Sequence, residues 1–294
     1  MDCRATSDNS IDRVLEILAP DGQTLPVVLA SPHSGRRYPE DLLASSRLDP
    51  HTLRKSEDGF VDEIFELAPA HGAPLLKALF PRAYLDVNRE AFELDPEMFE
   101  DPLPAYVNTR SPRVAAGLGT IARVVAHGQE IYSRQLSFAE AQSRIDRFYH
   151  PYHAALKRLI DDTKRRFGAC LVIDCHSMPS VGGLPGDRRV APDFVLGDCH
   201  GSACTAAVTD AAERWLADRG YRVSRNAPYA GGFTTRHYGR PRAGVHALQI
   251  EINRSLYMDE ATMTRKPFLD DLAQQMAWLV DRLGRVDLAA LAAV

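Results

Sequence analysis

Apolar residues in this chain recur in two rhythms, short unbroken runs and helical faces, which alternate along its length. "LPVVLAS" at 25–31 is a continuous run rich in Val and Leu, closed by Pro32 and Gly35, and it predicts a buried strand. The stretch 56–70 opens on acids that suit a helix N-terminus and carries Val61, Ile64, Phe65 and Leu67 on one side. Short strands are predicted at 75–79 and 83–87, after which 90–130 has no clear period; a loop that long is usually functional or only partly irregular. Ser137 and Glu140 form a capping-box pattern, and Ile145, Phe148, Tyr152, Leu156 and Leu159 carry a helix to Gly168, kinked at Pro151. Strands at 170–175, 193–196, 221–225 and 246–252 follow, with a helix at 202–219 between them. A last helix at 260–283 places Phe268, Leu272, Met276, Leu279 and Leu283 on one face. The alternation predicts an α/β fold with a mixed, mostly parallel central sheet flanked by helices. Neither a repeat nor a linker divides residues 1–294, so one domain is expected.

Three of these strands end on chemistry. In open α/β sheets the carboxyl ends of the strands share one crevice, and here "VVLASPHSG" delivers His33, "LVIDCHSMPS" His176 and "HALQIEINRS" Glu251. Two imidazoles and a carboxylate converging there predict a metal site, and zinc suits neutral imidazoles plus one acid with a position left for water. "SEDGF" offers the third ligand: Asp58 is the choice and Glu57 the alternative. Asp174, two residues before His176 on the same strand face, is placed to orient that ring. An isolated acid within "LQIEIN" is costly unless paired or functional, so Glu251 is read as a general base, with an ion pair to Arg254 as the structural alternative. In "PRAYLDVNRE", Asn88 and Arg89, helped by Arg82, suit a clamp for a substrate carboxylate.

Composition narrows the partners. With 294 residues, 45% hydrophobic and 25% charged, the chain can bury a core without staples, and a formal charge of -4 argues against nucleic acid as the main partner. Positive residues in "KRLIDDTKRRF" are interleaved with acids, as on a solvated helix face. Five cysteines (3, 170, 175, 199, 204) without a CxxC pair point to reduced thiols in a cytoplasmic protein. Residues 1–11 lack a signal-like apolar core, and no window approaches the roughly 18 apolar residues of a membrane span. "GLGTIA" at 117–122 matches a dinucleotide fingerprint only formally, because no hydrophobic strand precedes it. Nothing in the pattern assigns an oligomeric state.

The stretches "SPHSGRRYP", "SEDGF", "RAYLDVNR", "RIDRFYHPYHAAL", "IDCHSMPS", "PYAGGFTTRHYG" and "HALQIEINRSLYMDE" together resemble the N-formylglutamate amidohydrolase family, over about residues 25 to 260. The resemblance implies a zinc-exopeptidase-like α/β fold and hydrolysis of N-formyl-L-glutamate to formate and glutamate, the last step of one route of histidine degradation. "DVNR" and "DCH" also resemble the clamp and second histidine of aspartoacylase-type and carboxypeptidase-type zinc enzymes. Those relatives draw a carboxylate ligand from an HxxE motif; here Arg36 stands three residues beyond His33, so the acid must come from elsewhere. By the same resemblance Arg236 is a second substrate contact. The expected chemistry is therefore zinc on His33, Asp58 and His176, activating water for attack on an acidic N-acyl amino acid, with Glu251 as base. The rival readings are a zinc amidohydrolase of another N-acyl amino acid and a catalytically silent dicarboxylate-binding protein.

Overall fold

The computed structural model describes residues 13–125, 128–180 and 191–288. Seven strands form the central sheet: β1 (Leu15–Leu18), β2 (Val27–Ser31), β3 (Leu75–Ala78), β4 (Cys170–Met178), β5 (Phe194–Gly197), β6 (Val223–Arg225) and β7 (Val245–Asn253). Their order is β1-β3-β2-β4-β7-β5-β6. The centre, β3-β2-β4-β7, is parallel, β1 closes one side antiparallel to β3, and β5 runs antiparallel to β7 with β6 parallel beyond it. Because β2, β4 and β7 are adjacent and parallel, their carboxyl ends open on one edge.

Every residue of these three strands is buried, since helices and loops cover both faces. Val27, Leu29, Leu171, Ile173, Leu248 and Ile250 point into one apolar cluster. It is capped by α3 (Val61–Ile64), α7 (Ala206–Ala217) and α9 (Phe268–Gly284). The alternate residues Val28, Ala30, Cys170, Val172 and Ala247 enter a second cluster, against α6 (His150–Phe167) and the irregular 80–136 region. That region includes α4 (Pro112–Ala115); α1 (Glu40–Ser45) and α2 (Pro50–Arg54) precede α3, α5 (Phe138–Arg144) leads into α6, and α8 (Phe233–Tyr238) precedes β7.

Four elements differ from the sequence expectation. Residues 83–87 form no strand: Tyr84 N–H and Leu85 N–H both reach Pro81 O, and the turn packs its apolar side chains into the second cluster. The helix expected over 56–70 is cut to α3 and a 3₁₀ turn at Ala68–His71, because Phe60 adopts a left-handed φ of 64° and Pro69 interrupts the rest. The last helix starts only at Phe268, after Pro267; upstream, β8 (Met258–Asp259) and β9 (Thr264–Arg265) pair as a small hairpin. β1, a half-buried "LEIL" on the sheet edge, was too short to register as a pattern.

The expected Ser137 capping box is formed. Ser137 Oγ accepts from Glu140 N–H at 3.2 Å, and Glu140 Oε2 accepts from Ser137 N–H at 2.8 Å. The Arg134 guanidinium and the Ser137 amide hold the Glu140 carboxyl down at about 2. Ser137→Ala is expected to cost about 1 kcal/mol in denaturant unfolding at neutral pH. Since the folded pKa is depressed, the contribution of Glu140 is present above the unfolded value of 4.5 and fades as pH falls towards about 2. A wild-type minus Glu140→Gln difference that does not shrink over that window would contradict the assignment.

Candidate active site

His33 leaves β2 in a loop that crosses close to the 79–80 backbone; a Cβ on Gly35 would lie 2.1 Å from Phe80 O, so only glycine permits the crossing. The loop is then clasped to the 57–59 turn: Asp58 N–H donates to His33 O at 3.0 Å, and Ser34 Oγ to Asp58 O at 2.9 Å. Arg36 pairs with Asp62 and Glu63 at the start of α3, which fixes that turn from the solvent side. Asp58 thereby faces the ends of β2 and β4. Its Oδ2 lies 3.3 Å from His33 Nδ1 and 3.0 Å from His176 Nδ1. Its Oδ1 accepts from Arg254 Nη2 at 3.2 Å and Ser177 Oγ at 3.3 Å. Potential ligand atoms of His33, Asp58 and His176 all lie within 4.8 Å of one another, and all three residues are buried.

Glu57 points elsewhere. Its carboxylate takes the Tyr38 hydroxyl at 2.7 Å and the Arg54 guanidinium, and burial raises its pKa. Of the two acids in "SEDGF", Asp58 is the one turned into the cluster.

The far nitrogens of both rings meet carboxylates. His33 Nε2 lies 2.7 Å from Asp86 Oδ1, which accepts only, so that nitrogen carries a hydrogen, and Nδ1 is turned onto Asp58 Oδ2. His176 Nε2 has Asp174 Oδ1 at 2.9 Å and Asn88 Nδ2 at 3.0 Å. The Asp174 contact is badly aligned, and Asp174 Oδ1 is buried without a hydrogen bond. Two imidazole nitrogens turned onto one carboxylate oxygen in a buried cluster form a donor set that a cation would satisfy. Two nitrogens and an oxygen suit zinc; Asp86 takes the far N–H of His33, and the far nitrogen of His176 sits against Asp174 and the Asn88 amide.

Charge around the cluster is dense. Burial opposes ionisation of Asp58, but the two imidazoles outweigh it and hold the carboxyl well below its ordinary value. Asp86 is likewise held low against burial by Arg89, His33 and Arg82. Burial disfavours a charged His176, yet Asp174 and Asp58 raise its pKa well above the usual range. Glu251 sits in register beside His176 across the β4–β7 pairing. Burial pushes its carboxyl up to about 7, with the charge on His176 pulling the other way. Gln249 donates to Glu251 Oε1 at 3.0 Å and accepts Gly232 N–H at 2.7 Å.

The substrate side of the cleft is a cavity of about 650 Å³ lined by His33, Asp58, His176 and Glu251, with Arg82, Arg89 and Arg113 on its wall. Arg82 pairs with Asp86 at 2.7 Å and Arg89 lies 3.6 Å from the same carboxylate oxygen. One acid between two guanidinium groups leaves positive charge for an anionic ligand. Asn88 is gripped by the start of α8: Thr234 N–H donates to its Oδ1 at 2.7 Å, and a Cβ on Gly232 would fall 2.3 Å from its amide nitrogen.

The sequence profile of the N-formylglutamate amidohydrolases matches residues 25–258. The chain belongs to the N-formylglutamate amidohydrolase family. It is 28% identical over 255 residues to the N-formylglutamate deformylase of Pseudomonas putida, covering 85% of this chain and 87% of that protein. Against the enzyme of the same name from Pseudomonas aeruginosa it is 28% identical over 276 residues, covering 90% and 97%. The crystal structure of N-formylglutamate amidohydrolase from Ralstonia eutropha JMP134 superposes with a TM-score of 0.85 at 38% identity, over 92% of this chain and 96% of that one. At 17% identity, the Atu2144 product of Agrobacterium tumefaciens shares the fold with a TM-score of 0.59, over 91% and 94%.

Within this amidohydrolase fold, the predicted residues His33, Asp58, His176, Glu251, Asn88, Arg89 and Arg82 all line the one cavity. Arg236 does not. It is exposed on α8 and lines a separate depression with Arg240 and Arg242, because the face of α8 turned inward carries Thr234 and Thr235. Three partners escaped the sequence reading. Asp86 stood inside the quoted "LDVNR", where its signal was an acid in an apolar stretch. Gln249 was the matching signal in "LQIEIN", and Arg254, expected as an ion-pair partner of Glu251, pairs with Asp58 instead. Among the described residues the cysteines 170, 175, 199 and 204 are free, and no helix is long and apolar enough to cross a membrane; Cys3 lies outside the described residues.

Proposed function

We propose that this chain hydrolyses N-formyl-L-glutamate to formate and L-glutamate with zinc held by His33, Asp58 and His176. In that reading it performs the closing step of a histidine-degradation route. The observation that carries the proposal is the meeting of the buried His33–Asp58–His176 cluster with Glu251 in one arginine-lined cavity of an N-formylglutamate amidohydrolase fold. A bound zinc supplies a Lewis acid that lowers the pKa of water and polarises the formyl carbonyl. Arg89 and Asn88 hold a substrate carboxylate, with Arg82 adding charge, and this fixes the amide at the cluster. Glu251 takes a proton from the attacking water and, as the C–N bond breaks, returns it to the departing amine nitrogen. Arg254 and Ser177 hold one oxygen of Asp58 so that the other stays on the two imidazoles.

The deciding experiment is a kinetic panel of N-formyl and N-acetyl derivatives of Glu, Asp and Gln. N-formyl-L-glutamate is expected to lead in kcat/KM, with the neutral Gln derivative losing at least about tenfold for want of one ionic contact. An acetyl substrate preferred over its formyl counterpart would overturn the formyl assignment. Binding of glutamate without turnover of any panel member, in metal-loaded protein, would favour the silent binding protein.

A further inference from the structure

The 86–89 loop lies in neither a strand nor a helix, and three successive carbonyls in it accept from side chains. Val87 O takes His153 Nε2 at 2.9 Å, Asn88 O takes Arg89 Nη1 at 2.8 Å, and Arg89 O takes the Tyr149 hydroxyl at 2.8 Å. A carbonyl only accepts, so His153 Nε2 carries the hydrogen. Its Nδ1 then receives the Tyr238 hydroxyl at 2.9 Å. The ring is neutral in this arrangement, in line with burial lowering its pKa to about 4. Tyr238 ends α8, whose first turn grips Asn88 through Thr234. His153 therefore ties the loop to the helix that grips the same loop from its other side.

Tyr149 and His153 reach the loop together because of how the helix before them is wound. Ile145–Tyr149 is a π-helical turn in which His150 N–H bonds Ile145 O, five residues back. Pro151 follows at once; it has no N–H to give, and in an unbroken α-helix its ring would clash with Arg147 O. The wide turn absorbs that conflict and shifts the phase of what comes after, as such turns do near functional sites. Tyr149 and His153 end with ring centroids 4.3 Å apart, both bonded to the loop.

We propose that Tyr149 and His153 are positioning residues, aimed by the π turn ahead of Pro151, that hold the 86–89 backbone so that Asn88 and Arg89 meet the substrate carboxylate. The consequence for substrate rests on the clamp reading above; the holding of the loop does not. Tyr149→Phe removes one hydroxyl and His153→Phe keeps an aromatic ring while losing both bonds. Hydrogen exchange of a peptide spanning 84–92 is expected to quicken by about tenfold or more in both, with β2 and β4 peptides unchanged. KM for N-formyl-L-glutamate is expected to rise about tenfold while kcat stays within a few-fold. Tyr149→Phe carries the test if His153→Phe folds poorly, and Arg89→Met serves as the control. Unchanged exchange in the loop overturns the proposal. Faster exchange with unchanged KM also overturns it if Arg89→Met raises KM. If Arg89→Met leaves KM unchanged too, the clamp reading has failed, while faster exchange still supports the holding of the loop.

Discussion

Glu251→Gln is expected to keep its metal and fold and to lose about a thousandfold in kcat, the range that one well-placed general base supplies. Gln matches Glu in shape and can still meet Gln249, so the change removes a proton acceptor and little else. Two features make this carboxylate suited to the task. It is only 7% exposed and neighbours His176 in strand register, which places it beside the cluster. Its pKa is raised to about 7 by burial. A base works ionised, so kcat/KM should rise with pH through that group's pKa and level off above it. A divalent ion at the cluster would pull the value down, so the acid limb is expected between the ordinary glutamate value of about 4.3 and about 7. Undiminished turnover in the variant, or an acid limb below the ordinary range, would refute Glu251 as the base.

The second large effect concerns Asp58, the carboxylate proposed to hold the metal. Asp58→Asn is expected to lower retained zinc after dialysis and to reduce turnover by at least about a thousandfold, because metal activation of water is lost with the ligand. Asn keeps the volume and can still accept from Arg254 and Ser177, but it presents no negative charge to the two imidazoles. Glu57→Gln is the matched control, since Glu57 is held by Tyr38 and Arg54 and does not line the cavity. That variant should retain zinc and turnover. If the two variants exchange phenotypes, the ligand assignment is wrong; elemental analysis alongside kinetics reads both outcomes.

Much of the site was legible because chemistry interrupted a pattern. His176 and Glu251 stand out at the ends of strands that are otherwise apolar, and parallel neighbours must open on one edge. What stayed hidden were relations between distant segments. Arg254 sits three residues from Glu251, yet its guanidinium goes to Asp58, 196 positions away, because the chain turns into a short 3₁₀ helix directly after β7. Arg236 was misplaced for the same reason in reverse: a six-residue helix has two faces, and only packing against Asn88 and Asp174 decided that Thr234 and Thr235 turn inward. The turn at 83–87 shows a further limit, since a short buried apolar run reads alike whether it pairs or folds back on Pro81.

By itself the sequence determined the α/β alternation, the buried central strands, the Ser137 cap and the residue types available at each strand end, all of which depend on periodicity and neighbours a few positions apart. Tertiary structure alone decided which acid of "SEDGF" meets the histidines, that Asp86 backs the His33 ring, and which face of α8 the cavity sees. The physical reason is range: Asp58 meets His176 across 118 positions, and such contacts are set by how helices and loops pack on the sheet.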